Sequence, residues 1–252
     1  MNHYSRLTSN ALVLHFLYNS PAKLCRLGGL YGRFLFAPSW GFCSWPKRSI
    51  IYIDGFNLYY GAIQRTAYKW LDLERYFSLV RQDDDIQAIN YFTAVVQTPN
   101  RVSQNVYLQA LSTCPLVSVI LGKYKKTERR CHVPGCTYPG RREFKSWEEK
   151  RTDVNIALQM LDDAIHDRCE RMVVVSGDSD LVPALERVKN FRPAVTITVY
   201  VPARNRIRGA AVELRAAADK ARTLPLAPLG RSQFPPTLMV GTGSTINKPV
   251  GW

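Results

Sequence analysis

Aspartates follow two apolar runs that are far apart in the sequence, at the point where each run ends. Asp54 comes directly after residues 50–53, and Asp178 and Asp180 come shortly after residues 172–175. Continuous apolar runs of this length are typical of strands buried on both faces of a parallel sheet. Because the carboxyl ends of parallel strands meet at one edge of a sheet, we expect these carboxylates to form one acidic cluster.

A fourth aspartate, Asp153, lies near the start of a segment with helical spacing of apolar residues, for which Thr152 is the predicted cap. Carboxylates gathered at one sheet edge are costly, because each raises the pKa of its neighbours unless a cation compensates. Mg2+ and Mn2+ prefer oxygen ligands of this kind and keep several bound waters. We therefore predict that these cations are held by Asp54, Asp153, Asp178 and Asp180.

Each aspartate also has a structural interpretation. Asp178 and Asp180 suit the turn and N-cap positions of the helix that follows them, and Asp180 directly precedes that helix. Asp153 can complement the dipole at a helix N-terminus. A charge directly after a buried strand, as at Asp54, is harder to explain by structure alone. It is the joint occurrence of the aspartates that favours a functional site.

Polar and basic neighbours of the aspartates are candidates for accessory or substrate-binding roles: Asn57, Ser176, Lys150 and Arg151. The amide of Asn57 and the hydroxyl of Ser176 can orient a carboxylate, a water or a phosphate. Lys150 and Arg151 can contact a scissile phosphate. The alternatives are a helix N-cap for Asn57, a turn residue for Ser176 and a solvated loop for the two cations.

Strand-like and helix-like segments alternate over residues 49–222, which predicts βαβ units and an α/β fold. Right-handed crossovers then give a three-layer α/β/α sandwich with a central, mostly parallel, doubly wound sheet. The predicted strands are residues 50–53, 86–96, 116–121, 172–175 and 195–201. The predicted helices are residues 58–64, 71–80, 101–112, 152–166, 181–189 and 208–218.

Two segments outside this domain differ in composition. Residues 1–48 contain no Asp or Glu, so they resemble a transit peptide, but a disordered arm or a translated upstream region is the alternative. Residues 223–252 are rich in Pro, Gly, Ser and Thr and are predicted to be a disordered or loosely packed tail. We expect a cytoplasmic protein, with organellar targeting by residues 1–48 left open.

The net charge of +14, from 34 Lys and Arg against 20 Asp and Glu, predicts a polyanionic partner, and nucleic acid is favoured over a membrane. The alternative is that the basic residues only solvate the surface. The six cysteines lack regular spacing, which favours a reducing compartment. The sequence has no apolar run of the roughly 18 residues that a membrane span needs.

Residues 123–150 interrupt the alternation and are predicted to be an irregular, basic insertion. Positive charge interleaved with aromatic rings suits single-stranded nucleic acid, whose bases stack and whose phosphates need neutralising. A solvated charged loop is the alternative. The basic residues are Lys123, Lys125, Lys126, Arg129, Arg130, Arg141, Arg142 and Lys145, and the aromatic residues are Tyr124, Tyr138, Phe144 and Trp147.

The same insertion contains Cys131, His132 and Cys136, which could form half of a structural Zn2+ site. A closed tetrahedral site needs four ligands, and Cys114 is the nearest further thiol. Because strong zinc signatures have two paired halves, thiols in a loop are the alternative.

Three segments together resemble the signatures of NYN domains of the LabA-like type, in the PIN-like nuclease superfamily. They are residues 53–61 (IDGFNLYYG), 148–157 (EEKRTDVNIA) and 173–183 (VVVSGDSDLVP), and the resemblance extends over residues 49–220. Three motifs in the right order are specific, where one alone is weak. The sequence lacks a dinucleotide fingerprint, a phosphate loop and a Ser-His-Asp arrangement, which argues against those enzyme classes.

The resemblance implies a PIN-like fold with an acidic pocket that binds Mg2+ or Mn2+ and cleaves RNA. It assigns accessory positions to Asn57 and Ser176, and the catalytic and metal-binding set to Asp54, Asp153, Asp178 and Asp180. We therefore expect a metal-dependent ribonuclease that acts on single-stranded RNA. The alternatives are a non-catalytic RNA-binding or regulatory protein, or a small-molecule enzyme, because the family includes proteins credited with hydroxylating a pyridine compound.

Overall fold

The computed structural model describes residues 45–97, 101–140, 143–203, 212–241 and 243–252. Most of the predicted N-terminal arm, residues 1–44, therefore lies outside the described residues. Trp45–Trp252 form one structural unit. Among the described residues, no helix is both long enough and apolar enough to cross a membrane.

The described residues form ten strands and six α-helices. The strands are β1 Lys47–Asp54, β2 Asp84–Thr93, β3 Val117–Leu121, β4 Lys123–Arg130, β5 Glu143–Lys150, β6 Arg171–Val175, β7 Thr196–Val201, β8 Lys220–Thr223, β9 Thr237–Val240 and β10 Ser244–Asn247. The helices are α1 Gly55–Leu58, which continues as a π-helical turn over Tyr59–Ile63, α2 Leu73–Val80, α3 Arg101–Leu111, α4 Thr152–Ile165, α5 Val182–Phe191 and α6 Val212–Ala217. Short 3-10 turns cover Ser179–Leu181 and Ala227–Arg231.

The central sheet has six strands in the order β3-β2-β1-β6-β7-β8, and every neighbouring pair is parallel. β2 and β3 extend the sheet on one side of β1, and β6, β7 and β8 extend it on the other side. The direction in which strands are added therefore reverses between β1 and β6. In doubly wound sheets, ligands bind beyond the carboxyl ends of the strands at this switch point. The predicted doubly wound architecture is confirmed, and Asp54 lies at the switch point as the last residue of β1.

Buried side chains form one hydrophobic cluster on each face of the sheet. Along β1, Ile51 and Ile53 join the cluster beneath α1, α2 and α3, whereas Ile50 and Tyr52 join the one beneath α4, α5 and α6. This alternation follows from the two-residue period of a strand, and both faces of β1 are therefore apolar. The two clusters give the three-layer α/β/α arrangement predicted from the sequence.

The predicted irregular insertion at residues 123–150 is wrong for most of its length, because β4 and β5 pair as an antiparallel hairpin. The register runs from Lys123 opposite Lys150 to Arg130 opposite Glu143. These strands are dominated by charged residues, so they lack the apolar alternation that identifies a strand with one buried face. Opposite charges directly across the ladder, such as Glu128 and Lys145, support the pairing instead.

The prediction of a loosely packed tail at residues 223–252 is also wrong. Leu224, Leu229 and Phe234 are buried in the core, and Trp70 Nε1 donates a hydrogen bond to the carbonyl of Pro235 at 2.9 Å. The Trp252 ring packs edge-on against Trp70. These large apolar residues join the hydrophobic cluster on one face of the sheet without helical or strand periodicity in the sequence.

Candidate metal centre

The carboxylate of Asp54 is buried, with only 4% of the residue exposed. Its Oδ1 accepts a hydrogen bond from the backbone N–H of Asn57 at 2.9 Å, so Asp54 is the N-cap of α1. Its Oδ2 accepts from the Ser176 hydroxyl at 3.1 Å and from Asn57 Nδ2. The carboxylate is therefore held in one orientation by residues from two different strand ends.

Asn57 and Ser176 connect the end of β1 to the end of β6. Asn57 Oδ1 accepts a hydrogen bond from the Gly177 N–H at 3.2 Å, and Ser176 Oγ accepts one from the Asp178 N–H at 3.1 Å. The alternative role of Asn57 as a helix N-cap is wrong, because Asn57 lies inside α1 and Asp54 caps that helix. Both residues contact Asp54 directly, as an orienting role requires.

Asp178 caps the 3-10 turn that leads into α5. Its Oδ1 accepts a hydrogen bond from the Asp180 N–H at 3.0 Å, and Asp180 itself is exposed. The capping role that the sequence left open for Asp180 therefore belongs to Asp178. The second carboxylate oxygen of Asp178 is not needed for the cap.

Asp153 lies in the first turn of α4. The residue before this helix, Arg151, occupies the N-cap position with φ of 81° and makes no side-chain cap hydrogen bond. Thr152 is the first helical residue, and its hydroxyl donates to Glu149 instead of capping the helix. The prediction that Thr152 is the cap is therefore wrong, and this hydrogen bond fixes the end of β5 against the start of α4.

The predicted aspartates lie close enough together for their charges to affect the pKa of Asp153. The pKa of Asp153 is raised to about 6, chiefly by burial and also by the negative charges of Asp54, Asp178 and Asp180. Burial also raises the pKa of Asp54, hydrogen bonds from Asn57 and Ser176 counteract part of that rise, and the charge of Asp178 adds to it. The fold thus gathers carboxylates from β1, from α4 and from the turn after β6.

Glu149, the penultimate residue of β5, is a member of this site that the sequence analysis missed. Its pKa is raised to about 7, chiefly by burial, with the hydrogen bond from Thr152 opposing the rise and the charges of Asp54 and Asp153 contributing to it. A sequence signal was present, because Glu149 lies within the signature segment at residues 148–157. The irregular loop that the sequence predicts over residues 123–150 assigns no direction to any side chain, so it does not place Glu149 at the site.

Lys150 and Arg151 are exposed and lie between β5 and α4. Lys150 Nζ forms an ion pair with Glu148 Oε2 at 2.9 Å. Lys150 and Glu148 occupy the opposite face of β5 from Glu149, since side chains alternate along a strand. Lys150 therefore points away from the acidic cluster. The contact of Lys150 and Arg151 with a scissile phosphate remains a prediction.

In the described part of the chain, no three His, Cys, Asp or Glu side chains are close enough together to form a ready metal-binding group. The donor set at the switch point nevertheless suits Mg2+ or Mn2+, because it consists of hard carboxylate oxygens that repel one another. Cys131, His132 and Cys136 lie in the segment joining β4 to β5 and are not assembled into a zinc site, so zinc remains a prediction from the sequence. Cys114 is buried next to Asp72, and burial raises its pKa to about 12.

One face of the β4–β5 hairpin carries a row of aromatic rings. Tyr124 stacks on Trp147 with centroids 5.6 Å apart and planes at 7°, and Phe56 of α1 continues the row, 6.1 Å from Tyr124. Lys126 Nζ lies 5.7 Å from the centre of the Trp147 ring. Glu149 is on this same face, directly opposite Tyr124. The row therefore leads from the hairpin to the helix that Asp54 caps.

A doubly wound parallel sheet with carboxylates near its switch point is consistent with the PIN-like class of α/β proteins. The model of the NYN domain, which is a PIN-like domain, matches residues 48–225. Because this match covers most of the chain, the chain belongs to the NYN domain family. The assignment to the LabA-like type within it remains a prediction.

The chain is similar to a named enzyme and to a solved structure. The chain is 32% identical over 200 residues to 6-hydroxy-3-succinoylpyridine 3-monooxygenase HspA of Pseudomonas putida (strain DSM 28022 / S16), and the match covers 67% of this chain and 64% of the relative. The chain thus spans less than two thirds of that protein. It is also similar to a crystal structure of a protein of unknown function from Vibrio parahaemolyticus RIMD 2210633, with a TM-score of 0.46 and 20% identity, covering 71% of this chain and 94% of the other.

Proposed function

We propose that the protein is a metal-dependent ribonuclease of the LabA-like type that hydrolyses phosphodiester bonds in single-stranded RNA. The observation that carries this proposal is the uncompensated acidic cluster of Asp54, Asp153, Asp178 and Asp180. Among the described residues, no ion pair includes any of the four. Carboxylates that share a site repel one another, and a bound cation would relieve that repulsion.

The four aspartates would hold Mg2+ or Mn2+, and Asn57 and Ser176 would keep Asp54 in the ligating orientation. When bound, the cation supplies positive charge to the scissile phosphate and acidifies a water. Glu149, whose pKa is raised to about 7, is suited to accept the proton that this water loses. A base that titrates near the working pH combines a deprotonated state with a useful driving force for proton transfer.

RNA is the substrate that the surface supports. The chain carries a net charge of +14, and the hairpin next to the cluster combines Lys126 with the stacked rings of Tyr124 and Trp147. Stacked aromatic side chains beside positive charge are how proteins bind single strands without reading their sequence.

The test is cleavage of end-labelled single-stranded RNA by the full chain with Mn2+, beside Asp54→Asn and Asp85→Asn. Asp85 is an exposed carboxylate near the start of β2, at the amino-terminal end of the strands and therefore away from the acidic cluster. Asp85→Asn thus controls for the change in charge. Asp54→Asn should reduce the rate by more than about 100-fold, beyond the loss typical of groups that only support a ligand, and Asp85→Asn should cleave normally. Equal cleavage by all three proteins would falsify the proposal. RNA binding without cleavage would support the regulatory alternative.

A small-molecule oxygenase is the second candidate, because the relative at 32% identity is named a 3-monooxygenase. Oxygen insertion needs dioxygen and a reductant, so the test supplies a 6-hydroxypyridine substrate, reduced nicotinamide and air, and measures substrate consumption. Turnover that Asp54→Asn abolishes, with RNA left intact, would favour this candidate.

A further inference from the structure

A cavity of about 290 Å³ lies beside α1, and nearly half of the residues that line it, Phe56 among them, are aromatic. Its volume is close to the lower limit for sites that enclose a small molecule. The rings come from α1, β2, α3, β4 and the C-terminal segment, and besides Phe56 they belong to Tyr59, Tyr60, Tyr91, Tyr107, Tyr124 and Trp252.

The cavity shares a wall with the acidic cluster. Gly55 lines it and directly follows Asp54 in the chain. A Cβ on Gly55 would lie 2.8 Å from the Tyr91 hydroxyl, so this hydroxyl is packed against the first turn of α1. Burial raises the pKa of Tyr91, and the charges of Asp54 and Glu149 contribute to the rise, as expected for a phenol near both carboxylates.

Two polar side chains of the wall, Gln104 and Tyr107, form hydrogen bonds within the protein, and Lys69, which also lines the cavity, donates to the Gly251 carbonyl at 3.4 Å. Gln104 accepts from the Val96 N–H at 2.8 Å and donates to the Ala94 carbonyl at 3.0 Å, while the Tyr107 hydroxyl donates to the Leu71 carbonyl at 2.9 Å. The walls therefore offer mainly ring faces and edges. Ring faces and edges of this kind favour a flat aromatic ligand.

We propose that this cavity binds one nucleobase of the RNA strand whose phosphate is cleaved at the acidic cluster. The proposal rests on the ribonuclease function. Tyr124 belongs both to the cavity wall and to the row formed with Trp147 and Phe56, so bases stacked along the hairpin lead directly into the cavity. Holding the adjacent base would place the backbone phosphate within reach of the carboxylates.

Calorimetric titration of the metal-free chain with adenosine and with uridine tests the cavity, with ribose 5-phosphate as the ligand that lacks a base. Nucleosides should bind and ribose 5-phosphate should not. Val96→Phe narrows the cavity and should weaken nucleoside binding, whereas Val212→Phe, on a side chain that is 71% exposed on α6, should not. Absence of nucleoside binding, or equal binding by both variants, would overturn the proposal.

A surface substitution guards against a folding defect in Val96→Phe. Tyr60 is 57% exposed, so Tyr60→Ala should fold normally and lose about tenfold in nucleoside affinity, the order expected for one lost stacking contact. Phe191→Ala removes a ring of similar exposure from α5 and should bind as the parent does. Unchanged affinity in Tyr60→Ala would count against the cavity.

A base of an RNA strand and a free heterocycle present the same aromatic ring, so a second titration distinguishes these two ligands. If the ligand is part of a strand, a short oligouridylate should bind more tightly than uridine, and Trp147→Ala should remove the difference. Equal affinities for oligouridylate and uridine would assign the cavity to a free heterocycle and overturn its assignment to an RNA base. Because these titrations need no cleavage, nucleoside binding without Mn2+-dependent hydrolysis would refute the ribonuclease alone, and hydrolysis without nucleoside binding would refute the cavity alone.

Discussion

Ser176 Oγ lies 3.1 Å from Asp54 Oδ2, although 122 positions separate the two residues in the sequence. The parallel register explains this contact. Ile53 of β1 is opposite Val175 of β6, so the next residue of each strand emerges at the same point of the sheet edge. The hydroxyl of one strand end therefore supports the carboxylate of the other.

Removing that hydroxyl should weaken metal binding more than it harms catalysis. In Ser176→Ala, Asp54 loses a donor that lowers its pKa, so its ionised form becomes less favourable. We expect metal affinity to fall by about 10–100-fold, the range for groups that orient a ligand, with the rate largely restored at saturating Mn2+. Ser78→Ala, an exposed hydroxyl on α2, is the matched control. Cleavage that depends on Mn2+ concentration exactly as in the parent would contradict the supporting role.

The raised pKa values of Asp153 and Glu149, about 6 and about 7 against ordinary values of 3.8 and 4.5, predict a pH-dependent stability. A raised carboxylate pKa means that the folded state holds its proton more tightly than the unfolded state. These groups therefore cost nothing below about pH 4, and they destabilise the metal-free fold increasingly as the pH rises to about 7.

Thermal unfolding at about pH 5 and about pH 8 measures this effect. Mn2+ should raise the unfolding temperature more at the higher pH, where the carboxylates are charged. Glu149→Gln should stabilise the metal-free protein at the higher pH, and Glu186→Gln, on the exposed face of α5, should not. A Mn2+ effect of equal size at both pH values would argue against the acidic cluster as the binding site.

The aromatic row of the hairpin should contribute directly to RNA affinity. Trp147→Ala removes a stacking surface and the ring beneath Lys126, so single-stranded RNA should bind more weakly by about 1–3 kcal/mol. Phe144→Ala is the control, because Phe144 is an exposed ring on the opposite face of the same strand. Fluorescence anisotropy with metal-free protein measures both. Equal losses in the two variants would show that the face of the hairpin is irrelevant.

The C-terminal segment should be required for stability. Phe234 is buried and packs edge-on against Trp70 with ring centroids 5.6 Å apart, so Phe234→Ala should lower the free energy of unfolding by about 3–5 kcal/mol. Val250→Ala, at a fully exposed residue of the same segment, should change it little. Urea denaturation measures the free energy of unfolding of both variants. An unchanged value in Phe234→Ala would indicate that the C-terminal segment is loosely packed.

Strong local patterns allowed much of the fold to be predicted. The runs that became β1 and β6 are apolar on both faces, as a covered parallel strand requires, and aspartates follow within three residues of each run. The hairpin was missed because solvent-exposed, charge-paired strands such as β4 and β5 have no apolar alternation. The packing of Phe234 and Trp252 was missed because isolated contacts with Trp70 leave no periodic signal.

The sequence by itself determined the α/β class, the order of the segments and the identity of the aspartates at the strand ends, because these depend on local periodicity and on residues adjacent to it. Only the tertiary structure decided that Asp178 rather than Asp180 caps the turn, that Glu149 joins the cluster and that Lys150 faces away from it. The physical reason is that side-chain direction and burial depend on pairing partners distant in sequence. A one-residue change of strand register would exchange Glu149 for Lys150 at the site.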